Sequence, residues 1–300
     1  MIRNWLRPLT QYAKNIPRTH EPFSLSPTDT VFSLLSRNST LRSIHVPSRD
    51  LKPSTTSIKM DPHSEPTAEE AITLFQELEK KFPTKTLGDD RWYLIAISAL
   101  TGGGQPEFTG NLYTYLIQKP QYSTSESRKA LVRRLREALV KSVPIIGVCK
   151  PIEAVFSIDA AERPEDKDYS CSREHWQSGE ENRQRGLAWL DQIYRNNRTA
   201  TIKAFDSHRD FSWISANITY GLYLSDHTIL DAIDTEMVVL SGIMIQNLKR
   251  ETGWHLRGTR RVGVGYEDVE VVQQCIELVA AFAGVRVNKV PRVADIEHEV

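Results

Sequence analysis

The sequence predicts an all-α fold, and three observations carry that prediction. Apolar residues recur every three or four positions through most of the chain after residue 66. Sequences typical of helix starts precede these runs, the first being Thr67-Ala68-Glu69-Glu70, which has the form of a capping box. The alternating pattern of a half-buried strand is nearly absent. With 300 residues and 40% hydrophobic content, the chain has enough apolar side chains for a sizeable core.

In the first half of the chain, glycine and proline separate the predicted helices. Thr101-Gly102-Gly103-Gly104 ends a strongly apolar run, and Pro144 with Gly147 ends a long amphipathic one. Pro151 can open a further short helix, since proline suits the first helical position. The predicted helices lie, in order, at about 67–82, 92–100, 106–117, 125–143 and from 151 onward.

In the second half, a charged segment at 162–183 contains few glycines and no long apolar pattern. This composition predicts an exposed segment that lies outside the packed helices. Helical periodicity then resumes and continues almost to the end of the chain. These predicted helices lie at about 187–194, 211–223, 230–247, 251–261 and 267–283.

Two stretches of the chain read as weak copies of one unit. Both run through an apolar helix, a short polar break, a glutamate and an amphipathic helix. The interval from Trp92 to Glu107 equals the interval from Glu236 to Glu251, and Asn111 then stands where the second copy has His255. The pattern predicts two degenerate helical repeats, at about 87–157 and 230–284.

The first sixty residues differ in composition from the rest. Residues 1–20 contain four Lys or Arg and no acid, with apolar residues at helical spacing, and residues 24–57 are rich in Ser, Thr and Pro. This composition predicts a mitochondrial presequence and a matrix location, or else a disordered extension. Met60 is an alternative start, for a cytoplasmic protein. The predicted folded domain is therefore 61–300.

Composition excludes several classes of protein. Thirty-eight basic and 38 acidic residues balance, so nothing suggests a nucleic-acid or anionic-membrane partner. Cys149, Cys171 and Cys275 have no paired spacing, which argues against a disulfide scaffold or a zinc cluster. No apolar run approaches the roughly 20 residues that span a bilayer. We predict no metal and no membrane segment.

The candidate site lies in the second copy. Glu236 interrupts an apolar helix pattern, while Glu251 and His255 are four residues apart and share a helix face. If Glu236 points into the same crevice, the three side chains make a proton-transfer site. The alternative is an exposed helix pair of Glu251 and His255, which stabilises a helix by only about 0.2–0.5 kcal/mol.

The spacing of Glu236, Leu248, Glu251 and His255 resembles the carboxymuconolactone decarboxylase and AhpD-like alkylhydroperoxidase superfamily. In that family a glutamate precedes a Cys-x-x-Cys-x-x-x-His segment by a fixed interval. Here the two cysteine positions hold Leu248 and Glu251, so the redox pair is absent. The chain therefore resembles the decarboxylase-like branch, over roughly 87–284.

This resemblance implies an AhpD-like helical bundle that assembles as a homo-oligomer, either a trimer or a hexamer. It implies a cofactor-independent decarboxylase acting on a small carboxylated lactone or related organic acid. His255 would be the general acid/base and Glu236 and Glu251 its electrostatic partners, with Arg257 and Arg261 holding the substrate carboxylate. Two alternatives stay open: a non-catalytic assembly or binding protein of the same fold, and an alkylhydroperoxidase-type antioxidant protein.

Overall fold

The computed structural model describes residues 65–300, and every regular element in that range is a helix. The prediction of an all-α fold is confirmed. The predicted presequence or extension at 1–60 lies outside the described residues. None of the helices in 65–300 combines the length and the apolar composition needed to cross a bilayer.

The described part of the chain contains thirteen α-helices and one π-helix, besides short 3₁₀ turns. The first six α-helices are α1 (Ala68–Lys81), α2 (Thr84–Leu87), α3 (Trp92–Gly103), α4 (Phe108–Leu116), α5 (Ser125–Ile146) and α6 (Cys149–Ala161). Next come α7 (Glu180–Tyr194), α8 (Arg198–Lys203), α9 (Arg209–Ile214) and the π-helix (Ser215–Leu224). The last four are α10 (Ala232–Met244), α11 (Lys249–Arg261), α12 (Tyr266–Phe282) and α13 (Val293–Ile296).

Helix α1 begins where its sequence predicts. The backbone N–H of Glu70 donates to Thr67 Oγ1 at 3.2 Å, and the Thr67 N–H donates to Glu70 Oε2 at 2.8 Å, which completes the capping box. The helix then buries a stripe of apolar side chains one and two turns apart: Ala71, Leu74, Phe75 and Leu78. Local sequence therefore determines both its start and its buried face.

Helices α3 and α10 lie at the centre of the core. Residues 92–102 and 234–244 are all buried, which explains why both helices are apolar on every side. Small residues bring the two helices close together: a Cβ at Gly102 would lie 2.6 Å from Ile245 Cγ2. Between them, Ser98 Oγ donates to the Val238 carbonyl at 2.7 Å.

The order of helices repeats along the chain. The apolar helix α3 is followed by α4 and then by the longer α5, and the apolar helix α10 is likewise followed by α11 and then by the longer α12. Glu107 immediately precedes α4, and Glu251 lies in the first turn of α11. That this order reflects two copies of one unit stays a prediction.

The 162–183 segment is held to the fold more firmly than its composition predicts. Asp166 is fully buried and pairs with Arg128 of α5 at 2.6 Å. Asp168 pairs with Arg133 and Arg136 of the same helix, at 2.5 and 3.0 Å. Although burial opposes it, hydrogen bonds from Ser170 and Arg136 hold the pKa of Asp168 well below its usual range. Because these charges are paired, the segment packs along α5 although it contains few apolar residues.

The second half contains two short helices that were not predicted, α8 and α13, its helix α7 begins before residue 187, and it differs from the prediction again over 211–223. The single helix expected over 211–223 is instead α9 followed directly by the π-helix. Tight packing against α7 accompanies this wider turn. A Cβ at Gly186 of α7 would lie 2.3 Å from the Ala216 carbonyl oxygen, and Asn182 Nδ2 donates to the Asn217 carbonyl at 2.7 Å. Segments of π-helix are rare and often lie at functional sites.

Candidate functional site

Glu236 and His255 form a buried pair between α10 and α11. His255 Nδ1 lies 2.9 Å from Glu236 Oε2. The glutamate is 0% exposed and the histidine 3% exposed. Within residues 65–300, Glu236 Oε1 has no hydrogen-bond partner. Both side chains are thus removed from water together, and the hydrogen bond between them compensates part of the cost of burying two polar groups.

Small residues on α11 allow that close approach. Gly258 lies one turn after His255, and a Cβ at this position would stand 2.9 Å from Glu236 Oε2. Thr259 turns its hydroxyl inward along its own helix and donates to the His255 carbonyl at 2.7 Å. Apart from His255, α11 therefore places few side-chain atoms beside the carboxylate of Glu236.

The second ring nitrogen of His255 faces two tyrosines. Nε2 lies 3.4 Å from the hydroxyl of Tyr220 on the π-helix, and that hydroxyl lies 3.0 Å from the hydroxyl of Tyr194 at the end of α7. The first contact is long for a hydrogen bond. We call Glu236, His255 and Tyr220 the relay.

Both tyrosines stay protonated near neutral pH. Burial raises the pKa of Tyr220 well above its ordinary value, and burial raises the pKa of Tyr194 to about 12. Each hydroxyl can therefore donate one hydrogen bond while it accepts another. Neither tyrosine is therefore a charged phenolate in the resting site.

The two tyrosines also form part of the wall of a cavity of about 770 Å³. His255 and Glu236 do not line this cavity, because Tyr220 lies in front of them. Trp254 completes the wall beside Tyr194, with ring centroids 5.8 Å apart. The rest of the wall comes from α7, α8, α9 and the π-helix. Of the four residues in this hydrogen-bonded group, only the two tyrosines therefore border the cavity.

Glu251 takes a different position from the one its spacing suggested. It is partly exposed, and no side-chain hydrogen bond or ion pair joins its carboxylate to another residue in the described range. His255 turns instead toward Glu236. The charge of Glu251 nevertheless acts on the site, since it is among the groups that raise the pKa of Tyr194. A catalytic role for Glu251 stays a prediction.

Arg257 and Arg261 are both buried and both already have acceptors. Arg257 Nη1 lies 3.1 Å from Glu299 Oε2. Arg261 donates at 2.8 Å to the carbonyls of Ile193 and Tyr194, so it ties the end of α7 to α11. Neither arginine lines the cavity. That these arginines bind a substrate carboxylate stays a prediction. The hydrogen bonds of Arg261 connect α7 to α11, so this side chain has a structural role.

Sequence reasoning missed the residues that connect the relay to the cavity. Tyr194 and Tyr220 lie between the two repeats, in a region with no spacing pattern relative to His255. Three arginines of the cavity wall were missed as well: Arg183, Arg198 and Arg209. The only sequence signal in this region was the helical periodicity of 187–194 and 211–223, which indicates helices that pack against the fold.

The cysteines form no redox pair in the described range. All three are free thiols; Cys149 and Cys171 are exposed, and Cys275 is buried. Burial raises the pKa of Cys275 to about 12, so its thiol stays protonated. Across residues 65–300, His, Cys, Asp and Glu side chains form no cluster of three or more suited to a metal ion.

Two curated proteins resemble the chain at low identity. Peroxisomal protein 2 of Schizosaccharomyces pombe is 23% identical over 146 residues, which cover 45% of this chain and 63% of that protein. The match thus spans less than two thirds of that relative. Peroxisomal protein 2 of Saccharomyces cerevisiae is 20% identical over 251 residues, which cover 65% of this chain and 89% of that protein. No family model and no solved structure matches the chain.

These relatives contradict the predicted mitochondrial location, because both carry a name that refers to the peroxisome. The mitochondrial prediction rested on the basic, acid-free composition of residues 1–20. A disordered extension can have the same composition, so composition alone does not distinguish a presequence from such an extension.

Proposed function

We propose that the chain is a cofactor-independent acid–base enzyme of the carboxymuconolactone decarboxylase type, with the relay as its proton-transfer group. One observation carries the proposal: the buried 2.9 Å contact between Glu236 and His255, at the positions that match the family's glutamate and histidine. The cavity supplies room for a substrate next to Tyr220, which lies between the cavity and this pair. Fold alone would not assign an activity, so the argument rests on the site.

Each step of the proposed reaction has a residue to carry it. The C–C bond to the substrate carboxylate breaks, CO₂ leaves, and the electron pair passes into the adjacent lactone carbonyl. Tyr220 donates its proton to the carbon that held the carboxylate while His255 Nε2–H reprotonates the tyrosine. His255 ends neutral and takes up a proton from water. Glu236 stabilises the imidazolium before the transfer, and the high pKa of Tyr220 keeps its hydroxyl protonated.

Release of CO₂ from a panel of carboxylated lactones and 3-oxo acids tests this reaction. We expect His255→Gln to lower the rate about 10²–10⁴-fold, the usual contribution of a general acid/base, with Glu236→Gln and Tyr220→Phe also slower. Tyr223→Phe is the matched control, since it removes a hydroxyl from the same π-helix outside the cavity wall. Equal rates for His255→Gln and the parent would refute the proposal.

The second candidate is a binding protein that has lost catalysis. Two observations favour it: His255 is shielded from the cavity by Tyr220, and Arg261 is held by backbone carbonyls. In that case Glu236 and His255 serve only packing. Their conservative variants would then lower the free energy of unfolding, and no member of the panel would lose CO₂ in the presence of the parent protein.

We also infer a peroxisomal location from the names of the two relatives. Fluorescent fusions of the full chain, tagged at one end and then at the other, would be compared with peroxisomal and mitochondrial markers. Coincidence of both fusions with the mitochondrial marker would reject this inference.

A further inference from the structure

The cavity is large for a small carboxylated lactone. Its volume is about 770 Å³, in the upper part of the range of roughly 300–1,000 Å³ that suits drug-sized ligands. A compact acid would leave most of this space to water. The dimensions therefore favour a ligand with an extended body.

The chemistry of the wall indicates what that body is made of. Aliphatic and aromatic side chains contribute from α7, α8, α9, the π-helix and α11. They are Leu187, Leu190, Ile202, Phe205, Trp213, Ala216 and Trp254. Burying an apolar chain against such a wall is favourable by about 25 cal/mol per Å².

Charge in the wall is predominantly positive. Arg183, Arg198 and Arg209 line the cavity, against one acid, Asp206. Arg183 and Arg198 pair with acids outside the wall, yet Arg198 Nε is buried without an acceptor. Arg209 makes no ion pair within residues 65–300. Arginine is the side chain best suited to hold a carboxylate.

We infer that the cavity binds an amphipathic carboxylic acid, whose apolar body packs against the aliphatic and aromatic side chains of the wall and whose carboxylate pairs with Arg209 and Arg198. The inference rests on the proposed function in one respect, since it names the class of substrate for the relay. It differs from the small lactone that the sequence resemblance implies. The ligand carboxylate is then bound by the arginines of the cavity wall and not by Arg257 and Arg261.

Isothermal titration calorimetry on the full chain tests this with three probes: dodecanoate, dodecanol and butyrate. Dodecanol lacks the charge and butyrate lacks the long chain. We expect saturable one-to-one binding of dodecanoate, with affinity at least about tenfold above that of either other probe, or about 1.4 kcal/mol. Equal affinity for dodecanoate and dodecanol would overturn the role of the arginines.

Variants locate the binding in this cavity. Arg209→Gln should weaken dodecanoate binding about fivefold to tenfold and leave dodecanol unchanged, because one charged contact is lost. Lys203→Gln is the control, since it removes a nearby exposed charge that does not line the cavity. Ser212→Trp and Thr201→Trp each fill the cavity from a different helix and should abolish binding. Circular dichroism would verify that both variants fold.

The relay variant separates this inference from the proposed function. His255→Gln leaves the cavity wall intact, so it should bind dodecanoate like the parent. If Ser212→Trp, Thr201→Trp and Arg209→Gln all bind dodecanoate like the parent, the inference fails, while CO₂ release still tests the relay. If cavity-dependent binding is found but His255→Gln does not alter CO₂ release, the relay fails and the ligand class stands.

Discussion

The absence of one methyl group at position 258 allows α11 to lie against Glu236. A Cβ there would stand 2.9 Å from both Glu236 Oε2 and Ile193 Cγ2, closer than Cβ atoms approach their neighbours in folded proteins. Glu236 cannot simply move aside, because its Oε2 is bonded to His255. The geometry of the relay therefore depends on a residue that takes no part in its chemistry.

We predict that Gly258→Ala lowers the free energy of unfolding by about 1–3 kcal/mol, the usual effect of overpacking a core, and separates Glu236 from His255. Gly253→Ala on the same helix is the control, since its Cβ would meet Pro291 Cγ at an ordinary 3.5 Å. Because alanine favours helix, that variant should be neutral or up to about 1 kcal/mol more stable. Urea denaturation measures both, and equal stabilities would contradict the prediction.

At the residue scale, the sequence identified one partner of His255 and missed the other. The contact with Glu236 was predictable because the family resemblance matches both residues at a fixed interval. The neighbour four residues away, Glu251, was an equally reasonable partner on helical geometry, yet the ring turns to the buried carboxylate. Tyr220 was not predictable, since its position depends on a π-helix that periodicity reads as an ordinary helix.

At the scale of elements, a buried lysine binds the backbone carbonyls at the C-terminal end of the π-helix. Lys141 Nζ of α5 donates to the carbonyls of Tyr223, Leu224 and Asp226, at 3.3, 3.2 and 2.6 Å. These carbonyls lie at the C-terminal end of the π-helix, where a positive charge is favourable. Burial lowers the pKa of Lys141 to about 8, against an opposing effect of Glu137. The element that carries Tyr220 is thus held by a group that titrates above neutral pH.

This lysine makes stability depend on pH in a defined direction. Its pKa in the folded state, about 8, is lower than in the unfolded chain, so the unfolded state binds more protons between pH 8 and about 10.4. Relative to Lys141→Met, the free energy of unfolding of the parent should therefore rise with pH, by about 2 kcal/mol from pH 8 to pH 10. Urea denaturation across this range, with Lys129→Met as the control on the same helix, measures it. A difference between parent and Lys141→Met that is constant with pH would contradict the prediction.

Elements with local signals were predictable, and those held by distant charges were not. Thr67 and Glu70 fix the start of α1 within four residues, and the apolar runs of α3 and α10 indicate buried helices. The 162–183 segment offered no such signal. Its order comes from pairs such as Arg128 with Asp166, 38 residues apart, and periodicity does not report contacts at that separation.

At the scale of the whole molecule, the site combines residues from two separate regions of the sequence. Glu236 and His255 come from the second repeat, whereas Tyr194 and Tyr220 come from the region between the repeats. That inter-repeat region also supplies most of the cavity wall. The second predicted repeat accordingly provides the buried pair, and the region between the predicted repeats provides most of the cavity beside Tyr220. The same division explains why sequence reasoning located the pair but not the pocket.

One exposed apolar face bears on the assembly that the family resemblance implies. Val148, Ile152, Val155 and Phe156 recur at helical spacing along α6, and all are exposed, Phe156 by 63%. A contiguous stripe of this kind is typical of a surface that contacts another protein.

We predict that this face of α6 mediates self-association, and that Phe156→Glu lowers the molar mass of the particle by placing a charge in the contact. Light scattering after gel filtration measures this, with Tyr169→Glu as the control at another exposed aromatic residue. If the parent and Phe156→Glu form particles of the same mass, this face is not the interface, and if the parent is a monomer, the expected trimer or hexamer is wrong.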